Sequence, residues 1–134
     1  MLRRMMILAL LAVSSTVSFA TLARAEEPAL AHMVFFTLKD RTPASRDALL
    51  AGCKKYLTGH DGTVYFSVGT RGEEFKRDVN DLDYDVALHM VFKNKEAHDK
   101  YQVAPRHEKF IEENKDLWGK VRVFDSYLSP VESK

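Results

Sequence analysis

Apolar positions recur along this chain with two periods, and the order in which those periods alternate sets the expected fold. From His32 to Leu38 the run HMVFFTL is dense in aromatic and branched side chains and stops at the charged Lys39-Asp40-Arg41, which marks a strand. Alternation puts His32, Val34, Phe36 and Leu38 on one face and Met33, Phe35 and Thr37 on the other. Both faces are mostly apolar, so both need cover. Thr42-Pro43 supplies a helix cap with proline at the first helical position. Leu49, Cys53, Tyr56 and Leu57 then fall at i, i+4, i+7 and i+8, a single apolar stripe. The helix stops at Thr58-Gly59-His60-Asp61-Gly62, and a second strand runs from Thr63 to Thr70, with Val64, Phe66 and Val68 alternating against Tyr65, Ser67 and Gly69.

Arg71 to Leu82 is the most polar stretch and reads as a solvated loop. Its neighbouring acids, Asp78, Asp81 and Asp83, lack the spacing of a calcium loop. Tyr84, Val86, Leu88, Met90 and Phe92 form the next apolar face, with Asp85, Ala87, His89 and Val91 opposite. Asn94 caps a helix from Lys95, but Pro105 cannot sit inside a straight helix, so the segment splits into Lys95 to Val103 and Pro105 to Asn114. Leu117-Trp118-Gly119 closes it, and a last strand runs from Val121 to Leu128. The order β-α-β-β-α-β predicts an α+β, ferredoxin-like fold with a four-stranded antiparallel sheet. Helices cover one sheet face only. The other, carrying Met33, Phe35, Ala87, Val91 and Phe124, needs a partner, and the simplest is a second copy, giving a homodimeric barrel between two sheets.

The N-terminus changes how composition is counted. A basic start at Met1 to Arg4, an apolar run from Met5 to Val13 and the small-residue pattern Ala23-Arg24-Ala25 are the marks of a secretory signal peptide over 1–25. The run is too short to span a bilayer, which takes about 20 residues, so the chain is expected to be exported to a periplasm or beyond and to keep no membrane anchor after cleavage. Residues 26–31 then form a polar lead-in, 32–129 the domain and 130–134 a tail. Loss of Arg3, Arg4 and Arg24 takes Lys+Arg from 20 to 17 against 19 acids, which excludes the basic footprint of a nucleic-acid binder. Cys53 is the single cysteine, so no intrachain disulfide forms. It occupies an apolar helix position, as a buried structural thiol does.

Candidate chemistry concentrates around the proline. Tyr101 precedes the break and His107 follows it. Six positions apart on a straight helix they would diverge by about 240°; the break is what could bring them together. In one reading His107 satisfies backbone groups freed at the break and Tyr101 is a core aromatic. In the other, His107 is a general base and Tyr101 polarises a carbonyl whose oxygen gains negative charge. His32 would line the same pocket, His89 lies on the partner-facing side, and His60 and His98 are expected in solvent. No metal-ligand spacing occurs; a metal would need His32, His107 and a carboxylate to meet.

The runs His32 to Leu38, Asp83 to Leu88, Tyr101-Gln102-Val103-Ala104-Pro105-Arg106-His107 and Val123-Phe124-Asp125 resemble the stress-responsive A/B barrel domain, a family of dimeric α+β barrels. The Tyr-x-x-x-Pro-x-His run is the most specific part. The resemblance implies a ferredoxin-like protomer, a dimer with facing sheets and, by similarity to a cofactor-free plant polyketide cyclase of the family, a pocket in which Tyr101 and His107 are catalytic and His32 lines the wall. Ala104 and Val86 stand where that family or that cyclase has further histidines, which makes this site less polar. With Phe36 and Leu88 on the same side, they complete the expected lining for a small apolar or aromatic molecule. No cofactor is implied.

Overall fold

The structure is a computed structural model that describes residues 27–130. The expected signal peptide and the tail residues 131–134 lie outside the described residues. The elements run β1 (Leu30–Leu38), α1 (Pro43–Leu57), β2 (Thr63–Thr70), β3 (Val86–Phe92), α2 (Lys95–Gln102), α3 (Pro105–Asn114) and β4 (Trp118–Tyr127). All strand pairs are antiparallel in the order β2-β3-β1-β4, so the ferredoxin-like α+β fold is as expected, with the second helix divided at Pro105. Among the described residues no helix is long and apolar enough to cross a membrane.

Three strand starts differ from expectation, each decided by residues distant in sequence. β1 begins at Leu30 rather than His32, since Leu30 pairs with both Phe92 and Tyr127, and this shortens the lead-in. β4 begins at Trp118 rather than Val121. Leu38 pairs with Trp118 and Thr37 with Lys120, so a bulge absorbs Gly119. β3 begins at Val86 rather than Tyr84, because the chain leaves the pleat there. The Tyr84 ring lies 5.1 Å from Phe35, on the face opposite the one expected for it. Asp85 is buried, and its carboxylate accepts from the Leu38 N–H at 2.9 Å and from Arg41 Nε at 3.0 Å. The donor that β1 would otherwise leave unpaired at its end is thereby satisfied. A second bulge, between Thr63 and Tyr65, turns Val64 out to 62% exposure, so Phe66 and Val68 alone carry the apolar face of β2.

The core lies between one sheet face and the helices. Val34, Phe36, Leu88, Met90 and Phe92 meet Leu49, Cys53 and Leu57 of α1, Tyr101 of α2 and Phe110 of α3. α1 packs over β2 and β3, α2 packs over β3, and α3 lies against α1. Among the described residues no helix packs extensively over the edge strand β4, whose inward-facing Val121 and Val123 stay 39% and 50% exposed. On the far face Phe35 is ringed edge-on by Tyr84, His89 and Phe124, with centroids 5.1, 6.0 and 5.7 Å away. Ala87, on that face, is already buried within the protomer. Two acids at the end of the long loop between β2 and β3 pair with β4: Lys120 reaches Asp83 at 2.9 Å, and Arg122 pairs with Asp81.

The approach of α1 to α3 depends on Gly52. A Cβ there would stand 2.3 Å from Oδ1 of Asn114, whose buried amide donates to the Phe110 carbonyl at 2.8 Å. Gly52→Ala gains about 1 kcal/mol of helix propensity, but it must displace a buried, hydrogen-bonded side chain, and overpacking of that kind costs about 1–3 kcal/mol before the lost bond is counted. The expected outcome in urea unfolding is a net loss of about 1–2 kcal/mol; an unchanged or raised midpoint would show that the two helices separate freely.

Candidate functional site

The uncovered edge produces the site. Between α2 and α3 on one side and the inner faces of β1 and β4 on the other lies a cavity of about 380 Å³. Phe36, Leu88, Phe110, Trp118, Val121 and Val123 form its apolar wall, and His32, His98, Tyr101, Gln102, His107 and Asp125 its polar one. Of the residues expected from sequence, His32, Phe36, Leu88, Tyr101 and His107 line this cavity. Val86 and Ala104 are outside the lining. Val86 is fully enclosed in the core, paired across the sheet with Phe36 and Thr70, and Ala104 forms the bend itself as the extended N-cap of α3.

The break brings Tyr101 and His107 together. Pro105 has no N–H for the Tyr101 carbonyl, which instead accepts from Val103 and Ala104. The chain re-enters helix in a new direction, and the two rings meet with centroids 4.5 Å apart. His107 Nδ1 lies 3.0 Å from the Gln102 carbonyl, which is left without a helical donor. A carbonyl only accepts, so Nδ1 carries the proton and the neutral ring keeps its lone pair on Nε2. The backbone role and the chemical role of His107 are thus compatible: the first fixes the tautomer that the second requires.

His32 is set by sheet register. It faces Asp125 across the β1–β4 pair, and its Nδ1 lies 2.6 Å from Asp125 Oδ1. Two other histidines correct the sequence expectation of solvent exposure. His98 is largely buried, its ring centroid 5.2 Å from His32 and 5.6 Å from Phe92, and it lines the cavity. His60 is half-buried, with Nε2 2.8 Å from the Tyr56 carbonyl and its ring edge-on to Tyr101 at 4.9 Å. The signals were present: His98 lies three residues before Tyr101 and so on the same helix face, and Asp125 alternates with Val121 and Val123.

Burial governs the protonation of the polar wall. It lowers the pKa of His32 below the ordinary 6.5, partly opposed by Asp125, and lowers that of His107, partly opposed by the Gln102 carbonyl. Burial also raises the Tyr101 phenol well above 10.0, with Cys53 adding to the effect, so the hydroxyl stays protonated. The Cys53 thiol is itself pushed up to about 12 by burial, which makes it an inert packing group. At neutral pH the site therefore combines the neutral imidazoles of His32 and His107 with a phenol that can donate.

A stability profile follows. Unfolded, His32 and His107 take up protons near 6.5; folded, they do so only at lower pH. In that window the unfolded chain binds more protons, so stability falls as pH drops below 6.5 and levels off beneath the folded values. Thermal unfolding between about pH 7.5 and 5 should show a falling midpoint, with a shallower fall in His107→Gln. A flat wild-type profile would contradict the burial of these rings.

The profile of the family described as Stress responsive A/B Barrel Domain matches residues 30–128. No functionally curated protein matches the chain. Among solved structures, a Dabb family protein of Mesorhizobium loti with a ferredoxin-like fold is similar at 24% identity and a TM-score of 0.62, over 79% of this chain and 100% of that one. A dimeric ferredoxin-like protein from Thermobifida fusca superposes with a TM-score of 0.63 at 14% identity, over 79% of this chain and 96% of that one. A hydroxynitrile lyase from Passiflora edulis gives 0.62 at 16% identity, over 81% and 99%. With the profile spanning β1 through β4 and the Tyr-x-x-x-Pro-x-His run placed at the cavity, the chain belongs to the stress-responsive A/B barrel domain family.

Proposed function

We propose that this chain is an exported, homodimeric A/B barrel protein that holds one small apolar or aromatic molecule per protomer in the cavity beneath α2 and α3. The observation that carries the reading is the lining itself: about 380 Å³ with an aromatic and aliphatic wall facing a compact set of polar groups. Sites for small molecules have this size and composition. The dimer is supported by the aromatic patch on the far sheet face, where Phe124 is 53% exposed beside Phe35 and Tyr84, and by the description of the Thermobifida fusca neighbour as dimeric. Export is supported by the N-terminal charge, apolar and small-residue pattern.

A second reading, a cofactor-free enzyme, is favoured by one specific feature, the tautomer of His107. With Nδ1 committed to Gln102, Nε2 is a base, and the neighbouring Tyr101 hydroxyl is the donor for a developing oxyanion. A polyketide-like or β-dicarbonyl compound, acidic at the carbon between its carbonyls, suits that pair. The Passiflora edulis neighbour, a hydroxynitrile lyase, is a precedent for lyase chemistry on this fold.

Trp118 is the single tryptophan and lines the cavity, so its fluorescence reports occupancy. Titration with anilinonaphthalene sulfonate, an apolar aromatic probe, should quench it saturably at one probe per chain, in a protein that sediments as a dimer. Val123→Arg, which fills the mouth while leaving the core intact, should abolish the quenching; equal quenching in that variant, or a monomer, would contradict the proposal. For the enzymatic reading, any β-dicarbonyl turnover found by screening should fall about 10²–10⁴-fold in His107→Ala and fall also in Tyr101→Phe; turnover indifferent to both would remove the pair from the chemistry.

A further inference from the structure

We propose that His32, His98 and Asp125 bind a divalent transition-metal ion, with zinc as the natural type, at the outer end of the cavity. No metal spacing occurs in the sequence, and a metal there would need His32, His107 and a carboxylate to meet; the fold instead brings His98 to His32 and Asp125. The three ligands come from three elements, β1, α2 and β4, and one donor atom from each lies within 4.8 Å of the others.

The geometry is close to that of a ligand shell. His32 Nδ1 is 2.6 Å from Asp125 Oδ1, and His98 Nε2 is 3.9 Å from the same oxygen. Donors held at about 2.0–2.2 Å from an ion stand roughly 3–3.5 Å apart, so the His32–Asp125 contact opens and the His98–Asp125 contact closes by under an ångström, while the two imidazole nitrogens, within 4.8 Å of each other, draw together by up to about 1.5 Å. Asp125 can make that adjustment, since it sits on the edge strand with 44% of its side chain exposed. In the free protein His32 Nδ1 donates to Asp125; when the ion takes that place, the neutral ring binds through Nδ1 and carries its proton on Nε2 instead.

His98 is prepared for the role by a second carboxylate. Its Nδ1 lies 3.2 Å from Asp99 Oδ1, and a carboxylate accepts, so the ring proton stays on Nδ1 and the Nε2 lone pair faces Asp125. A histidine braced by a carboxylate on its far nitrogen is the recurrent outer arrangement of metal sites. The Gln102 amide, 3.1 Å from that Nε2, donates to the lone pair in the free protein and is displaced when the ion binds. Two neutral imidazoles and one carboxylate leave a dication with one positive charge, which Asp99, itself paired with Lys95, offsets only in part.

Access and reactivity follow from position. His98 and Asp125 also line a separate outer depression of about 210 Å³, through which an ion reaches them from bulk solvent. The inward side of the cluster opens on the main cavity, so a fourth ligand position is available to water or to a bound molecule. Three protein ligands with an open position characterise reactive zinc sites rather than structural ones, and a nitrogen and oxygen donor set suits this class of ion. The inference does not depend on which organic molecule occupies the cavity.

The test uses the untagged chain, stripped with a chelator, then titrated with Zn²⁺ by calorimetry and with Co²⁺ by visible absorption. The expected result is one ion per chain at micromolar affinity or tighter, with affinity lowered about tenfold or more in His98→Gln and in Asp125→Asn. His89→Gln, on the opposite sheet face, should bind as the wild type does. Should either ligand variant fold poorly, Co²⁺ added to the wild type should broaden the imidazole signals of His32 and His98 in the nuclear magnetic resonance spectrum and spare those of His89. Absence of stoichiometric binding, affinity unchanged in both ligand variants, or broadening confined to other histidines would overturn the assignment.

Discussion

The arrangement of the whole site depends on a hydrogen bond that cannot form. Pro105 has no N–H, so the Tyr101 carbonyl turns to Val103 and Ala104, α2 ends, and α3 begins along a new axis. Without that interruption Tyr101 and His107 would diverge around one helix; with it their rings are 4.5 Å apart. The interruption also frees the Gln102 carbonyl, and His107 donates to it. A single backbone constraint therefore sets the position of the imidazole and the nitrogen on which its proton sits.

The second determinant is incomplete cover. Three helices pack over β2, β3 and each other, leaving the inner face of the edge strand β4 half open. In most small domains such a gap fills with side chains. Here its floor is Phe36, Val121, Val123 and Trp118, and its rim is the polar set of His32, His98 and Asp125. Because the cavity exists for a geometric reason, its polar groups can be buried without being consumed by the core. Burial in turn keeps His32 and His107 neutral and the Tyr101 phenol protonated.

Much of this was legible in the chain. Alternation along His32 to Leu38 assigned the two faces of β1, and a proline between Tyr101 and His107 located the turn on which the site is built. What escaped was decided by residues distant in sequence. Alternation continues the strand through Tyr84 and Asp85, yet the pairing of Asp85 with Arg41, 44 positions earlier, takes them out of the pleat. The bulges at Val64 and Gly119 reflect the register of neighbouring strands and have no local signature beyond the glycine. His98 looked like a solvent residue on a polar eight-residue helix, because nothing local announces that Asp125 of the last strand will stand 3.9 Å from it. Val86 and Ala104 entered the expected lining through family positions rather than through their own packing, and the structure leaves both outside.

The central claim is that the helix break fixes His107 against Tyr101 in one tautomer. The most direct measurement is a long-range proton–nitrogen correlation spectrum of the histidine rings at neutral pH, read with the proximities of the His107 ring. The account predicts a neutral His107 protonated at Nδ1, with contacts from its ring to that of Tyr101. A ring protonated at Nε2, or one without contact to Tyr101, would contradict it.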